Sequence, residues 1–292
     1  AENYNDNFLI GLPRENILTA DFNSIESVEK IINENSDIAA VILEPIQGQK
    51  INVGEKDFIE NLIKICKEND IITIFDEIKV GMGRTGYLFS FLEYDIEPDI
   101  LTISKSLGGG SRAIGAMVTT DKLFKKAYGT RSTAALHSTT FGGIGTTCEV
   151  AIESLKIISD ELFLNEVKNK GEYFFDQLIN LQKEFPKKIK KILGKGLFLG
   201  VELIFPAERI KNNFSNEIIK TRDQFFIASI INNLYKKHNI LSSFAPSSPE
   251  VLDICPPLII EYEDIDYFIS SLKSTLSKNY MQLGKDLPKN LI

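Results

Sequence analysis

Short unbroken apolar runs alternate along this chain with stretches whose apolar residues recur every three or four positions. Residues 38–44 (IAAVILE) form one such run, the pattern of a strand covered on both faces. Residues 55–69 follow, with Ile59, Leu62, Ile63 and Cys66 on one stripe, and predict an amphipathic helix. A second run, Ile71–Phe75, predicts a strand closing on Asp76; a Gly-rich loop (81–86) and strands at 100–103 and 115–119 come next. Helical periodicity occupies 146–160 and 161–184. The texture then changes to a short strand at 196–204, a helix around 217–237 and a strand near 251–254. A final helix is marked by Ile265, Phe268, Ile269, Leu272 and Leu276. Strand–helix–strand order predicts a mostly parallel α/β sheet with right-handed crossovers. The change of texture divides the chain into a large region, 1–165, and a smaller α+β region, 166–292.

Composition narrows the class without naming it. The 43% hydrophobic and 25% charged residues are ordinary for a globular protein, and 292 residues suffice for a sizeable core. A formal net charge of −7 argues against nucleic-acid binding. The densest lysine cluster, PKKIKK at 186–191, reads as a solvated helix end. Cys66, Cys148 and Cys255 lie far apart in apolar surroundings, which predicts core thiols in a reducing, cytoplasmic setting rather than disulfides or metal ligands. Two histidines make a histidine-rich metal site implausible, and no stretch reaches membrane-spanning length.

Candidate chemistry gathers at two predicted strand ends. Asp76 closes one apolar run, and Lys105 follows another with only Ser104 between, so both fall where open α/β sheets keep their ligands. A lysine amine can form a Schiff base with an aldehyde cofactor, although a free amine of pKa ~10.4 is neutral only about once in a few thousand at pH 7. Burial or incorporation into the imine removes that obstacle. An aspartate beside a pyridine nitrogen keeps it protonated, so that the ring can accept electrons. Other residues have plainer readings. The triple glycine 108–110 lacks a P-loop or dinucleotide pattern and serves a tight turn. Arg84 holds its loop by hydrogen bonds, His137 bonds within a loop, and Glu44 either lines the cleft or is solvated.

Six segments together resemble the class III aminotransferases, a group of fold-type I pyridoxal phosphate enzymes. They are ILEPIQGQ (42–49), FDEIKVGMGRTG (75–86), PDILTISKSLGGG (98–110), LHSTTFGG (136–143), GKGLFLGVEL (194–203) and CPPLIIEYEDID (255–266). The resemblance implies a fold-type I large domain with a small α+β domain, pyridoxal 5'-phosphate as cofactor, and ping-pong transfer of an amino group from an amine to an oxo or aldehyde acceptor. Lys105 resembles the lysine that bonds the cofactor and shuttles the substrate proton. Asp76 resembles the carboxylate on the pyridinium nitrogen, Ile78 the aliphatic side chain against the ring, and Thr140 the threonine that binds the phosphate of the neighbouring subunit. A homodimer with a shared site is therefore implied, with small-molecule amines and oxo compounds as substrates.

The departures from the family pattern are equally specific. The phosphate-binding loop and ring-stacking aromatic that the family carries near its N-terminus have no counterpart before residue 38, so the chain resembles the family lacking its N-terminal part. A non-catalytic or complementation-dependent fragment is the alternative reading, and an aminomutase or decarboxylase a variant of the first. Many relatives grip a substrate carboxylate with an arginine where this chain has Asp253, and pair it with an acidic residue where this chain has Gln49. A substrate carboxylate facing Asp253 would be repelled, which predicts a different substrate: a diamine, an aldehyde or a carrier-bound acyl chain. Lys79 stands where relatives have a neutral residue beside the pyridine hydroxyl, and reads as a surface or loop residue. Ile144 and Gly145 replace an Asn-Pro, so the next helix should open differently.

Overall fold

In the computed structural model, which describes residues 16–134, 140–204, 216–279 and 282–283 (backbone alone for 216–224), the apolar runs become strands of two four-stranded sheets. The first sheet has the order β1 (Ala40–Leu43), β2 (Ile72–Asp76), β3 (Ile100–Ile103), β4 (Ala116–Thr119). The first three strands are parallel and β4 runs antiparallel to β3. Helices α1 (Ile25–Glu34), α2 (Lys56–Glu68), α3 (Asp121–Tyr128) and α4 (Gly145–Ile158) accompany it. Neither α1 nor α3 stands out in the apolar pattern, yet each has a cap that fixes its start. Ser24 accepts from the Ser27 amide, and Thr120 from the Leu123 amide.

Phe75, Leu101 and Ile103 form a core with Ile59, Leu62 and Cys66 of α2 and with Ala151 and Ile158 of α4. Each fully buried side chain of this kind contributes about 1.5–3 kcal/mol. The opposite face carries Ile42, Ile74, Asp76, Thr102 and Met117, aligned by the strand register. There the structure departs from the expectation of strands covered on both sides: Ile42 is 65% exposed and Met117 50%. The helices of this core reach the Phe75 side, and the other is left open at Ile42 and Met117.

The second sheet, in the order β5 (Ile189–Lys195), β6 (Phe198–Leu203), β8 (Ser248–Ile254), β7 (Ser243–Ala245), is antiparallel throughout. Helices α5 (Glu161–Glu184), α6 (Asn216–His238) and α7 (Tyr262–Ser277) cover one face, burying Phe174, Leu178, Ile230, Leu234, Ile265 and Leu272 against Leu199, Val201 and Leu252. Its other face meets loops of the first sheet, where Ile46, Ile51 and Val80 pack on Phe198 and Val251. This contact places the strand-end loops of one sheet against β8 of the other.

Two expectations are corrected. The lysine cluster at 186–191 is not a helix end: α5 stops at Glu184, and Ile189, fully buried, starts β5. Within it Lys188 donates to the carbonyls of Leu276 and Lys278, closing α7, and partial burial lowers its pKa. The cysteines are all free, but only Cys66 is a core thiol; Cys148 is half-buried and Cys255 exposed. Burial pushes the Cys66 thiol up to about 11.

Candidate active site

Parallel pairing of β2 with β3 sets the site. Asp76, the last residue of β2, is in register with Thr102, and Lys105 lies three residues further along. Asp76 is half-buried, and its Oδ1 accepts the Ile78 amide at 3.0 Å, which fixes the carboxylate at the strand end. Lys105 opens a short 3₁₀ turn (Lys105–Gly108) with φ +46, a left-handed conformation that a side chain adopts only under constraint. The constraint is visible: the Ser104 hydroxyl donates to the Ile114 carbonyl at 2.7 Å, and the Ser154 hydroxyl of α4 donates to the Ser106 carbonyl at 2.9 Å. Lys105 is exposed, beside a cavity of about 510 Å³ lined also by Ser104, Arg112, Ala113, Ile114 and Gly115.

A second group of charges adjoins this pair. Glu44 lies on the strand-end side of β1, half-buried, and its Oε2 accepts the Gly48 amide at 2.7 Å. Burial raises the Glu44 pKa, the Gly48 bond opposes that rise, and the charge of Asp76 adds to it, while Lys105 and Lys79 lower it. Lys79 is not a surface residue. Its Nζ donates to the Gly48 carbonyl at 2.8 Å and to Asp253 Oδ2 at 3.1 Å, and lies 4.2 Å from the centre of the Phe198 ring. The ion pair joins residues 174 positions apart, with side chains 23% and 10% exposed. Asp253 Oδ1 is buried without a partner among the described residues. Gln49 goes elsewhere, its Oε1 accepting the Ser247 hydroxyl at 2.6 Å. Asp253 is thus not a bare anion facing the cleft, as its sequence position suggests, but one half of a pair with Lys79.

Support comes from buried polar residues that pattern alone did not single out. Glu77, 1% exposed, accepts from the Ser90 amide and hydroxyl and the Phe91 amide, holding a 3₁₀ turn (Ser90–Tyr94) behind the Asp76 loop. Burial raises its pKa against those three bonds. Asp99 accepts from the Thr73 amide and hydroxyl, both at 2.8 Å, tying β2 to the start of β3. A carboxylate beside the Asp76 motif was a sequence signal for Glu77; Lys79 and Asp253 gave no sign that they meet.

Of the residues singled out by sequence, Asp76, Ile78 and Lys105 gather at adjacent strand ends. Arg84 holds its loop as expected, donating to the carbonyls of Leu197 and Pro256. Thr140 is exposed in a turn, while His137, Ser138 and Thr139 lie outside the described residues. Helix α4 opens at Gly145 with Ile144 at its cap and no side-chain cap bond, because isoleucine has no acceptor to offer. No group of acidic, cysteine or histidine residues among those described could hold a metal ion.

The donor set fits pyridoxal phosphate. An amine beside a cavity and a carboxylate on the neighbouring strand supply both ends of the ring's needs, and Thr102 Oγ1, on the Asp76 face, is buried with no partner among the described residues.

Comparison with known proteins agrees. A family model described as aminotransferase class III matches residues 7–276. Acetylornithine aminotransferase of Methanocaldococcus jannaschii is 35% identical over 259 residues, 88% of this chain and 57% of that protein. A probable mitochondrial acetylornithine aminotransferase of Dictyostelium discoideum is 36% identical over 264 residues, covering 89% and 52%. Among solved structures, N-acetylornithine aminotransferase of Stenotrophomonas maltophilia superposes with a TM-score of 0.68 at 27% identity, covering 88% of this chain and 61% of that one. Ornithine aminotransferase of Toxoplasma gondii, described with partial occupancy of PLP at its active site, gives 0.75 at 26%, covering 88% and 55%. The chain spans a little over half the length of the curated relatives it matches.

Proposed function

Because the chain belongs to the class III aminotransferase family, we propose that it is a pyridoxal phosphate-dependent transaminase working through Lys105 and Asp76. The observation that carries this reading is their placement at the carboxyl ends of adjacent parallel strands, with Lys105 held in a left-handed conformation beside an open cavity. When bound, the cofactor supplies an electron-accepting ring that lets the hydrogen next to the substrate nitrogen leave as a proton. Lys105 Nζ would hold the cofactor by its aldehyde group and would be the base that takes and returns the proton next to the substrate nitrogen. Asp76, its Oδ1 oriented by the Ile78 amide, would keep the pyridine nitrogen protonated, and Ile78 would offer an aliphatic side chain to the ring. Thr140, exposed in its turn, would offer its hydroxyl to the phosphate of a partner's cofactor. An amine leaves as the oxo compound, and an oxo acceptor leaves as the amine.

Residues 1–165 serve as the cofactor-binding domain and 166–292 as the smaller domain; the two sheets support two domains, and α5 (Glu161–Glu184) runs across the boundary. The protein acts as a homodimer, supported by exposed Ile42, Met117, Phe141 and Ile144 as apolar surface for a partner to cover, and in the cytoplasm, supported by free Cys66, Cys148 and Cys255. No helix among the described residues is long and apolar enough to cross a membrane.

Mixing the protein with pyridoxal phosphate tests the reading. The visible band of the lysine-bound cofactor should form with the wild type and be lost in Lys105→Ala. No band with the wild type defeats the proposal, and a band that survives in Lys105→Ala removes Lys105 from its role.

A further inference from the structure

Strands β3 and β4 run antiparallel with Ile103 opposite Ala116, so the residues between them, 104–115, leave the sheet and return to the same point. Lys105 stands on the outgoing arm and Arg112 on the returning one, and both line the cavity of about 510 Å³. The returning arm is tied at both ends. The Ser111 and Arg112 amides donate to the Gly108 carbonyl, each at 3.0 Å, and the Ile114 carbonyl accepts the Ser104 hydroxyl at 2.7 Å. Arg112 therefore lines the cavity from a backbone that no ligand has to order first.

Charge at this cavity is one-sided. Among the described residues that line it, Lys105 and Arg112 are both cations, and none is an acid. The charge of Glu44 is coupled to that of Lys105, and Asp76 closes the neighbouring strand. Arg112 has no such counterpart: its exposed side chain makes no hydrogen bond or ion pair among the described residues. The Ala113 and Ile114 amides that follow it likewise donate to no described acceptor. A guanidinium fork with two open amides next to it supplies the donors that the two oxygens of a carboxylate take.

We infer that Arg112 is a specificity-determining residue that grips a carboxylate of the substrate, so that amino acids are preferred to simple amines of the same length. The inference rests on the transaminase reading, because the cofactor defines the reacting end. Its ring nitrogen and aldehyde carbon stand at opposite ends of the ring, and the residues assigned to them, Asp76 and Lys105, belong to β2 and β3 in that order. Strand β4, which Arg112 leads into, comes next. A substrate reacting at the aldehyde carbon thus lies on the Arg112 side of Lys105, away from Asp76. The expectation of a substrate without a carboxylate treated Asp253 as a bare anion. Lys79 pairs with Asp253, and Arg112 supplies a cation elsewhere.

The test is a spectral titration of the cofactor-loaded protein with 1-aminobutane, 2-aminobutanoate and 4-aminobutanoate, following the shift of the bound-cofactor band. A charge-assisted hydrogen bond corresponds to roughly a ten- to hundredfold change in affinity, and the exposure of Arg112 puts it at the lower end. The better of the two amino acids should therefore half-saturate at a concentration about ten times lower than 1-aminobutane. In Arg112→Gln that ratio should fall toward one, while Arg112→Lys, which keeps the charge without the fork, should retain part of it. Both variants should fold, because the arginine side chain makes none of the bonds that tie the arm. A second readout needs no reaction at the cofactor: butanoate should protect Arg112 from modification by phenylglyoxal, followed by peptide mass, and 1-butanol should not. Equal affinity for the amine and both amino acids in the wild type overturns the inference, as does a preference that persists in Arg112→Gln or a failure of butanoate to protect. So does a fall in cofactor affinity in Arg112→Gln, which would put the guanidinium on the cofactor's phosphate. Absence of the band in the wild type is a different failure, since it removes the transaminase reading itself.

Discussion

At the scale of single residues, burial rather than sequence motif decides how each acid behaves. Glu44 shows this best, since burial pushes its carboxyl up, with Asp76 adding to the rise and the Gly48 amide opposing it. A carboxyl whose pKa is raised by folding binds its proton more tightly in the folded chain than in the unfolded one. Stability therefore falls as pH rises from the ordinary carboxylate range through the raised value, and is level above it. Glu44→Gln cannot ionise but still accepts from Gly48, so it is free of this loss. Melting temperatures measured across the acid range should show the variant gaining on the wild type as pH rises, with no gain at the acid end. A difference independent of pH would mean that Glu44 is ordinary and solvated. Lys105 is the contrasting case. Its chemistry was plain from its place after a strand, but its left-handed backbone was not, because φ is imposed by the Ser104 and Ser154 hydroxyl bonds on either side.

At the scale of elements, the same loop that carries Arg84 is clamped between the two halves of the chain. Gly196, at φ +55 in the β5–β6 turn, lies against the Arg84 carbonyl and Thr85, and a Cβ there would come within 2.6 Å of their backbone. On its far side Gly171 of α5 touches Gly196, where a Cβ would also stand 2.6 Å from backbone atoms. Leu197 donates to the Arg84 carbonyl at 3.0 Å across this seam. Gly171→Ala therefore sets two effects against each other. Alanine improves a helix interior by about 1 kcal/mol, but forcing α5 off the turn costs about 1–3 kcal/mol. Since the obstacle is backbone, which cannot swing aside, the cost falls at the upper end of that range, and urea unfolding should show a net loss of up to about 2 kcal/mol. A stabilised variant would mean that α5 can shift freely. The apolar periodicity disclosed α5 to the residue, 161–184, and the last helix through its stripe, because those faces are buried in one core. It hid α1 and α3, whose buried faces are small or absent, and it misplaced 186–191, where lysines flank a strand whose register shift after Ile189 breaks the alternation and buries both Ile189 and Ile192.

At the scale of the whole molecule, what no local pattern could disclose is which departures from the family act together. Lys79 and Asp253 looked like separate oddities, and Gln49 like the partner of Asp253; folding instead brings Lys79 onto Asp253 from the other sheet and sends Gln49 to Ser247. The pair is then the charged tie, beside the Gln49–Ser247 bonds, in the contact where Ile51, Val80, Phe198 and Val251 pack. A partly buried ion pair adds little over apolar residues of the same shape, yet breaking one side strands the other charge. Lys79→Leu should accordingly lower stability by about 2–3 kcal/mol, less than a fully buried pair because 23% of the lysine side chain meets solvent. The double variant Lys79→Leu/Asp253→Leu should recover most of that loss, since both positions then match their apolar walls. A double-mutant cycle read by chemical unfolding should yield a coupling of at least about 2 kcal/mol. If the two losses simply add, Lys79 and Asp253 do not hold the sheets together.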